Sequence, residues 1–217
     1  MRSHPIIVIG RQFGSGGHEI GVKLAQKLGI PLYDKEILAH IAEEQGITLE
    51  RLQKLDENHR ENDILNFGLQ TQKFNLFNMG LLFETDTSTM ISRDQIFEWQ
   101  AKKIRELAAA GPCIIIGRCA DEILRDEPGL ISVFIKAPLV ARESRIARLY
   151  PNHPREYYET HLQLIQKTDK TRASYYSFHT DRNWGDINNY HLCLDSSKLG
   201  IDGCVELLAD YVKRVAP

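Results

Sequence analysis

The strongest constraint on this chain is a glycine-rich corner near its start. Ile6-Ile7-Val8-Ile9 is a run of four β-formers, and Gly10, Gly14, Gly16 and Gly17 place four glycines in the next eight residues. A continuous apolar run bounded by glycine predicts a fully buried strand of a parallel sheet. Beyond the glycines, Ile20, Leu24, Ala25 and Leu28 fall on one face of a helix that Gly29 ends. Strand, glycine loop and helix in that order put the loop at the carboxyl edge of an α/β sheet, where such proteins bind ligands. Glycines let backbone N–H groups turn toward a phosphate, and the helix N-terminus adds a favourable field. A corner that binds nothing is the plainer reading. The density of glycines and the helix that follows favour anion binding.

The loop departs from the phosphate-binding pattern GxxxxGK[ST]. Gly14-Ser15-Gly16 can serve as its second half, but Arg11 occupies the place of the first glycine and Gly17 that of the lysine. His18 and Glu19 stand where the hydroxyl residue is expected. The missing lysine normally neutralises the β- and γ-phosphates, and Arg11 could fold back to replace it. His18 could donate to a phosphate, although an unassisted histidine is mostly uncharged at neutral pH. The dinucleotide pattern GxGxxG fits less well, since its third glycine would fall at Glu19.

The rest of the chain continues the alternation. Short strands are expected at Ile30–Asp34, Cys113–Ile116, Leu130–Ile135 and Tyr190–Leu194, with helices over 35–63, from Ile96 to before Gly111, over 119–125, 139–149, 155–176 and 202–214. Strands alternating with helices imply an α/β fold with a parallel sheet. Residues 64–92 are polar and aromatic with little period. Phe67 to Phe83 could form a dimer surface as easily as part of a substrate lobe.

Charge adds a local signal. The 27 Lys and Arg against 29 Asp and Glu leave a net −2, which argues against a dedicated nucleic-acid or polybasic membrane binder. Residues 136–182, however, hold nine basic and five acidic side chains, and Asp34 to Asp63 hold nine acidic and four basic. No apolar run approaches the roughly 18 residues of a membrane span, and the short run at Ile6 is no signal peptide. A cytoplasmic location is expected. Cys113, Cys119, Cys193 and Cys204 form no CxxC pair, so reduced thiols are expected, with Cys113 and Cys193 buried, and a zinc site is not.

Six segments together carry a resemblance. They are Ile9-Gly-Arg-Gln-Phe-Gly-Ser-Gly-Gly-His18, Leu32-Tyr-Asp-Lys-Glu-Ile-Leu38, Ile115-Ile-Gly-Arg-Cys-Ala-Asp121, Val133-Phe-Ile-Lys-Ala-Pro138 with Arg142, Asp169-Lys-Thr-Arg172 before Tyr175-Tyr176, and Asn189-Tyr-His-Leu-Cys-Leu-Asp-Ser-Ser197. In this order they resemble the cytidylate kinase-like branch of the P-loop nucleoside monophosphate kinases. The resemblance implies a P-loop α/β fold: a parallel five-stranded sheet flanked by helices (core 1–34, 96–149 and 186–217), a helical acceptor lobe over 35–95 and a lid over 150–185. It implies ATP and Mg²⁺ as cofactors and transfer of a phosphoryl group to a nucleoside monophosphate, CMP or dCMP first.

The resemblance also implies residue roles. Gly14, Ser15, Gly16, Gly17 and His18 would cradle the ATP phosphates, beside Arg11, whose part is read from the loop itself. Asp34, Arg118 and Asp121 would meet the acceptor. Arg118, Arg142, Arg145 and Arg172 would clamp the transferring group, a task that suits the planar fork of arginine. Departures stand beside these matches. Lys35-Glu36 replaces a Ser-Gly pair, Cys119 replaces the aspartate of Gly-Arg-Asp, and Ile116 replaces an acidic residue. The residue that holds the metal is not identified. Alternatives are a nucleotide-binding regulatory module without turnover and a kinase for another small acceptor. Each arginine also has a plain reading: Arg142, Arg145 and Arg148 as a solvated face, Arg118 as a strand cap, Arg172 as a partner of Asp169.

Overall fold

The computed structural model describes residues 4–53, 55–56, 91–150 and 160–216. Five parallel strands form one sheet in the order β2-β3-β1-β4-β5. They are β1 (Ile6–Arg11), β2 (Leu32–Tyr33), β3 (Cys113–Ile116), β4 (Leu130–Lys136) and β5 (Leu192–Asp195). Among the described residues the helices include α1 (Gly17–Leu28), α2 (Glu36–Gln45), α3 (Arg93–Ala110), the single turn α4 (Ala120–Ile123), α5 (Leu139–Leu149), α6 (His161–Thr180) and α7 (Ser196–Val215), with further helical backbone at 49–53 and 55–56. The expected parallel α/β sheet flanked by helices is the fold observed.

Alternation along the strands builds the two faces. Ile7, Ile9, Ile114 and Ile116 point to one side, where Ile20 and Leu24 of α1 meet Val205, Leu208 and Val212 of α7. Ile6, Val8, Cys113 and Ile115 point to the other, against Ile37 and Ile41 of α2 and Ile96 and Ile104 of α3. The middle strands are covered on both faces, which is why they read as unbroken apolar runs.

The boundaries differ from expectation in instructive places. The second strand keeps only Leu32 and Tyr33, because Pro31 precedes it and the carboxylate of Glu36 accepts from the Asp34 N–H at 3.0 Å, starting α2. α6 runs four residues past Tyr176 to Thr180, and Thr160 begins it with a capping box closed by Gln163. α7 starts at Ser196 and breaks at Gly200 (φ 68°), so the amphipathic stretch from 202 is its second part. Residues 57–90 of the expected acceptor lobe, with Phe67 to Phe83, and 151–159 of the expected lid lie outside the described residues.

The four cysteines are free; Cys113, Cys119 and Cys204 are buried, while Cys193 is half-buried rather than enclosed. Burial pushes the Cys113 thiol up to about 11, so it is no nucleophile at neutral pH. Among the described residues no helix is long and apolar enough to cross a membrane.

Candidate active site

The carboxyl ends of β1, β2 and β3 meet at one edge of the sheet, and each delivers a charged residue there. β1 ends in Arg11, β2 is followed by Asp34, and β3 is followed by Gly117-Arg118. The glycine loop spans Gln12 to Gly16. Gly14 and Gly16 have φ of 80° and 82°, a region costly for other residues, and these two turns swing the backbone into the first turn of α1. Ser15 is buried, and its N–H and hydroxyl both bond the Gln12 carbonyl, at 3.2 and 2.8 Å. Ser15 therefore braces the loop from within. Gly16 is the N-cap of α1 and supplies no side-chain cap. The N–H groups of that first turn have no acceptor within the helix itself.

Arg142 and Asp169 hold the loop from outside. The Phe13 N–H donates to Asp169 Oδ1 at 2.7 Å, Arg142 Nη1 donates to the Phe13 carbonyl at 3.2 Å, and Arg142 and Asp169 pair with each other. Arg142 is buried, and its Nε is buried without a hydrogen-bond partner. Asp169, one partner conceivable for Arg172, is thus bonded to Arg142 and the loop. Arg145 lies over Gly16 and pairs with Glu19 of α1. Arg148 is exposed, so the basic face of α5 divides into two inward residues and one solvated residue.

Arg172 comes from α6. Its Nη1 donates to the Arg11 carbonyl at 2.9 Å, and its guanidinium carbon lies 5.6 Å from the centre of the Phe13 ring. Asp34 faces the loop. Its Oδ2 is 3.1 Å from His18 Nδ1, and its Oδ1 is 3.8 Å from Arg11 Nη2. His18 is otherwise well exposed.

After β3 the backbone takes three left-handed residues in succession: Gly117 (φ 70°), Arg118 (φ 58°) and Cys119 (φ 54°). For the two non-glycine residues this costs about 1–2 kcal/mol each. The turn is held by the bonds of Ala120 N–H to the Gly117 carbonyl and of Ile123 N–H to the Cys119 carbonyl. Strain of this kind persists where the surroundings over-determine it, commonly at functional sites. Here it aims the Arg118 side chain across the β2 end. Arg118 Nε donates to the Asp34 carbonyl at 3.2 Å, Nη1 to Gln100 Oε1 at 3.1 Å, and Asp56 Oδ2 lies 3.8 Å away. Gln100 bonds Asp56 in turn, and the Tyr175 hydroxyl donates to Gln100 at 3.3 Å.

This seat for Arg118 is not among the residues expected from sequence. A signal existed: Gln100 sits four residues after Ile96 and four before Ile104, on the buried face of α3. A fully buried amide in such a stripe must be bonded to something.

Asp121, on α4, is 8% exposed and accepts from the Tyr176 hydroxyl at 2.7 Å. Burial raises its pKa from the usual 3.8, against the opposing pull of the Tyr176 bond. Burial, helped by the Asp121 charge, also raises the Tyr176 and Tyr190 hydroxyls. Tyr175 and Tyr176 pack against Cys119, and Trp184 meets Phe134 edge-on at 5.4 Å. These aromatics form a wall.

Two cavities open on this edge. One, of about 500 Å³, runs over the glycine loop from His18 and Glu19 to Arg145, Leu149 and Tyr150. The other, of about 240 Å³, is enclosed by Gly117, Arg118, Asp121 and the aromatic wall. Arg11, Asp34, Lys35 and Arg172 border both. The structure thus brings Arg11, the loop glycines, His18, Asp34, Arg118, Asp121, Arg145 and Arg172 around one double cavity, while Arg142 lies behind the loop. Among the described residues there is no group of three or more His, Cys, Asp or Glu that could hold a metal alone.

With this geometry in place, comparison with known proteins is specific. The model of the cytidylate kinase-like family matches residues 6–198, so the chain belongs to that family. No curated protein matches the sequence. An uncharacterized protein from Eubacterium ventriosum has a similar solved structure, with 28% identity, a TM-score of 0.66, and 96% of this chain and 98% of that one covered. Shikimate kinase from Bacteroides thetaiotaomicron shares the fold at 14% identity and a TM-score of 0.56, covering 97% and 99% of the two chains. A gluconokinase from Sinorhizobium meliloti does so at 16% identity and a TM-score of 0.52, covering 100% and 95%.

Proposed function

We propose that this member of the cytidylate kinase-like family transfers the γ-phosphoryl group of ATP to a small phosphorylated acceptor, a nucleoside monophosphate, with CMP and dCMP the first to try. The observation that carries this reading is the shared wall. Phosphoryl transfer needs donor and acceptor oxygens in line and positive charge around the group in flight, and little covalent help. Two cavities that open on the same two arginines offer that arrangement.

The residues present suit a nucleoside triphosphate. The uncapped first turn of α1 presents N–H groups to the larger cavity, and Arg11, Arg145 and Arg172 border it. Its far end, at Ile146, Leu149 and Tyr150, is apolar enough for a base. Mg²⁺ is commonly held by one or two carboxylates together with substrate phosphates, and Asp34 is the carboxylate that borders both cavities. Bound with ATP, the ion would neutralise charge on the β- and γ-phosphates. In this reading Arg118, bonded to Gln100 and the Asp34 carbonyl, binds the acceptor's phosphate. Arg172 bridges the two ligands. Arg142 acts indirectly, by fixing the Phe13 peptide. Asp121 and the tyrosines close the smaller cavity against water.

Lys35, Glu36, Ile116 and Cys119 support a second reading, in which the same machinery serves a different small acceptor. An ADP-release assay with ATP, Mg²⁺ and a panel of nucleoside monophosphates and small hydroxylated acids separates the two. Turnover with CMP or dCMP is the expected result. Turnover with a non-nucleotide alone favours the second reading. ATP binding by calorimetry without turnover on any acceptor would sink both and leave a regulatory nucleotide-binding module.

A further inference from the structure

We infer that Arg11 is the catalytic cation of the loop, and that the chain has exchanged the glycine and the cation of the standard phosphate-binding pattern between two facing positions. The inference rests on the kinase reading above. In GxxxxGK[ST] the first position is a glycine and the sixth after it is a lysine that reaches the β- and γ-phosphates. Here those positions hold Arg11 and Gly17.

They are in direct contact. A β-carbon built on Gly17 would lie 2.5 Å from Arg11 Cβ and 3.0 Å from Arg11 Cγ. Real β-carbons do not approach so closely, and the atoms in the way belong to the inner stem of Arg11, which cannot swing aside. Only one of the two positions can therefore carry a side chain. The loop needs one cation and one glycine across this contact, and the sequence supplies them in reverse.

The course of the side chain agrees. Beyond Gly17 the Arg11 guanidinium lies against Gly117, where any β-carbon would run into Nη1, and Nη2 reaches toward Asp34. Gly17 and Gly117 thus form the two halves of a trough for Arg11. It leads from the end of β1 to the wall that the two cavities share. Its guanidinium stands at that wall, at the edge of the cavity that runs over the glycine loop. A planar guanidinium with several donors can bond bridging and terminal oxygens together, where a lysine offers a point charge.

The test is charge removal and relocation, read as ATP affinity relative to AMP by calorimetry, with thermal melting to confirm folding. Arg11→Gln keeps the stem over Gly17 and removes the charge. It should weaken ATP by roughly 10- to 100-fold and AMP by less than threefold. The double variant Arg11→Gly with Gly17→Lys should recover most of the ATP-over-AMP preference, while Gly17→Lys alone should lower the melting temperature and the ATP affinity together. An Arg11→Gln protein that keeps its ATP-over-AMP preference overturns the assignment. So does a folded double variant that binds ATP no better than Arg11→Gln. Wild-type protein that binds no ATP would overturn the kinase reading itself, a result distinct from either.

Discussion

Asp121 shows what a single buried carboxyl does to this protein. It is buried, and that burial outweighs the hydrogen bond from Tyr176 and the other groups that favour its charged form, so its proton is held more tightly in the folded chain than in the unfolded one. Between the usual carboxyl value of 3.8 and its raised folded value, the folded state binds more protons, and by linkage stability falls as pH rises through that window. Asp121→Asn keeps the acceptor oxygen and removes the slope. Urea unfolding at pH 4 and pH 7 should show the variant gaining on the wild type as pH rises. Parallel stabilities at the two pH values would refute the assignment. Residues of this kind were partly legible. Arg118 stood out because a charged residue directly after an apolar strand run marks a sheet edge, and Asp121 only through the family resemblance. What could not be read was the direction of Arg118, since nothing in Gly-Arg-Cys announces three successive left-handed residues. That conformation is imposed by packing of Cys119 under Tyr175 and Tyr176, contacts more than fifty residues away in the chain.

At the scale of elements, α5 and α6 are joined to the glycine loop by one triad, Arg142, Asp169 and Phe13. The pair is largely enclosed, with side-chain exposures of 9% and 17%, and both partners also bond the Phe13 peptide. Removing one partner leaves the other charge in a poor environment, at a cost of about 3 kcal/mol, the low end of the range for buried pairs. For a chain of this size that is a fall of roughly 6–12 °C in melting temperature. Asp169→Ala should show this loss and also a raised KM for ATP, because the Phe13 peptide loses its acceptor. Lys27→Ala removes an exposed pair with Glu206 that joins α1 to α7, and should shift stability by less than about 0.5 kcal/mol. Equal effects of the two substitutions would show that the triad does not brace the loop. Apolar periodicity revealed most elements, since the faces of α1 and α7 and the strands β1, β3 and β4 are single-purpose. It could not assign Arg142. On a helix carrying arginines at 142, 145 and 148, charge alone does not say which residue turns inward. That is decided by where α6 presents Asp169.

For the whole molecule, the order β2-β3-β1-β4-β5 brings the ends of β1, β2 and β3 together, although Arg11 and Ile116 lie more than a hundred residues apart in the chain. The net charge of −2 then conceals a division of labour. Arg142, Arg145 and Arg172 come from the basic stretch and converge on the loop, while Glu43 and Glu44 of the acidic stretch lie exposed on α2. Glu43 and Glu44 therefore do not by themselves repel an anionic acceptor, and Asp34 and Asp56, carboxylates of that stretch at the site, lie beside Arg11 and Arg118. The shared wall has a consequence for binding. Arg172 borders both cavities and bonds the Arg11 carbonyl, whereas Arg118 borders the smaller one. Arg172→Ala should weaken ATP and the acceptor alike, by about 10-fold each, the worth of one charge-assisted hydrogen bond. Arg118→Lys keeps a charge near Asp56 and should weaken the acceptor by a similar factor while leaving ATP within about twofold. Calorimetric titration of each ligand into each variant decides the matter. If Arg172→Ala affected one ligand only, the two cavities would be separate sites rather than the two halves of one transfer path.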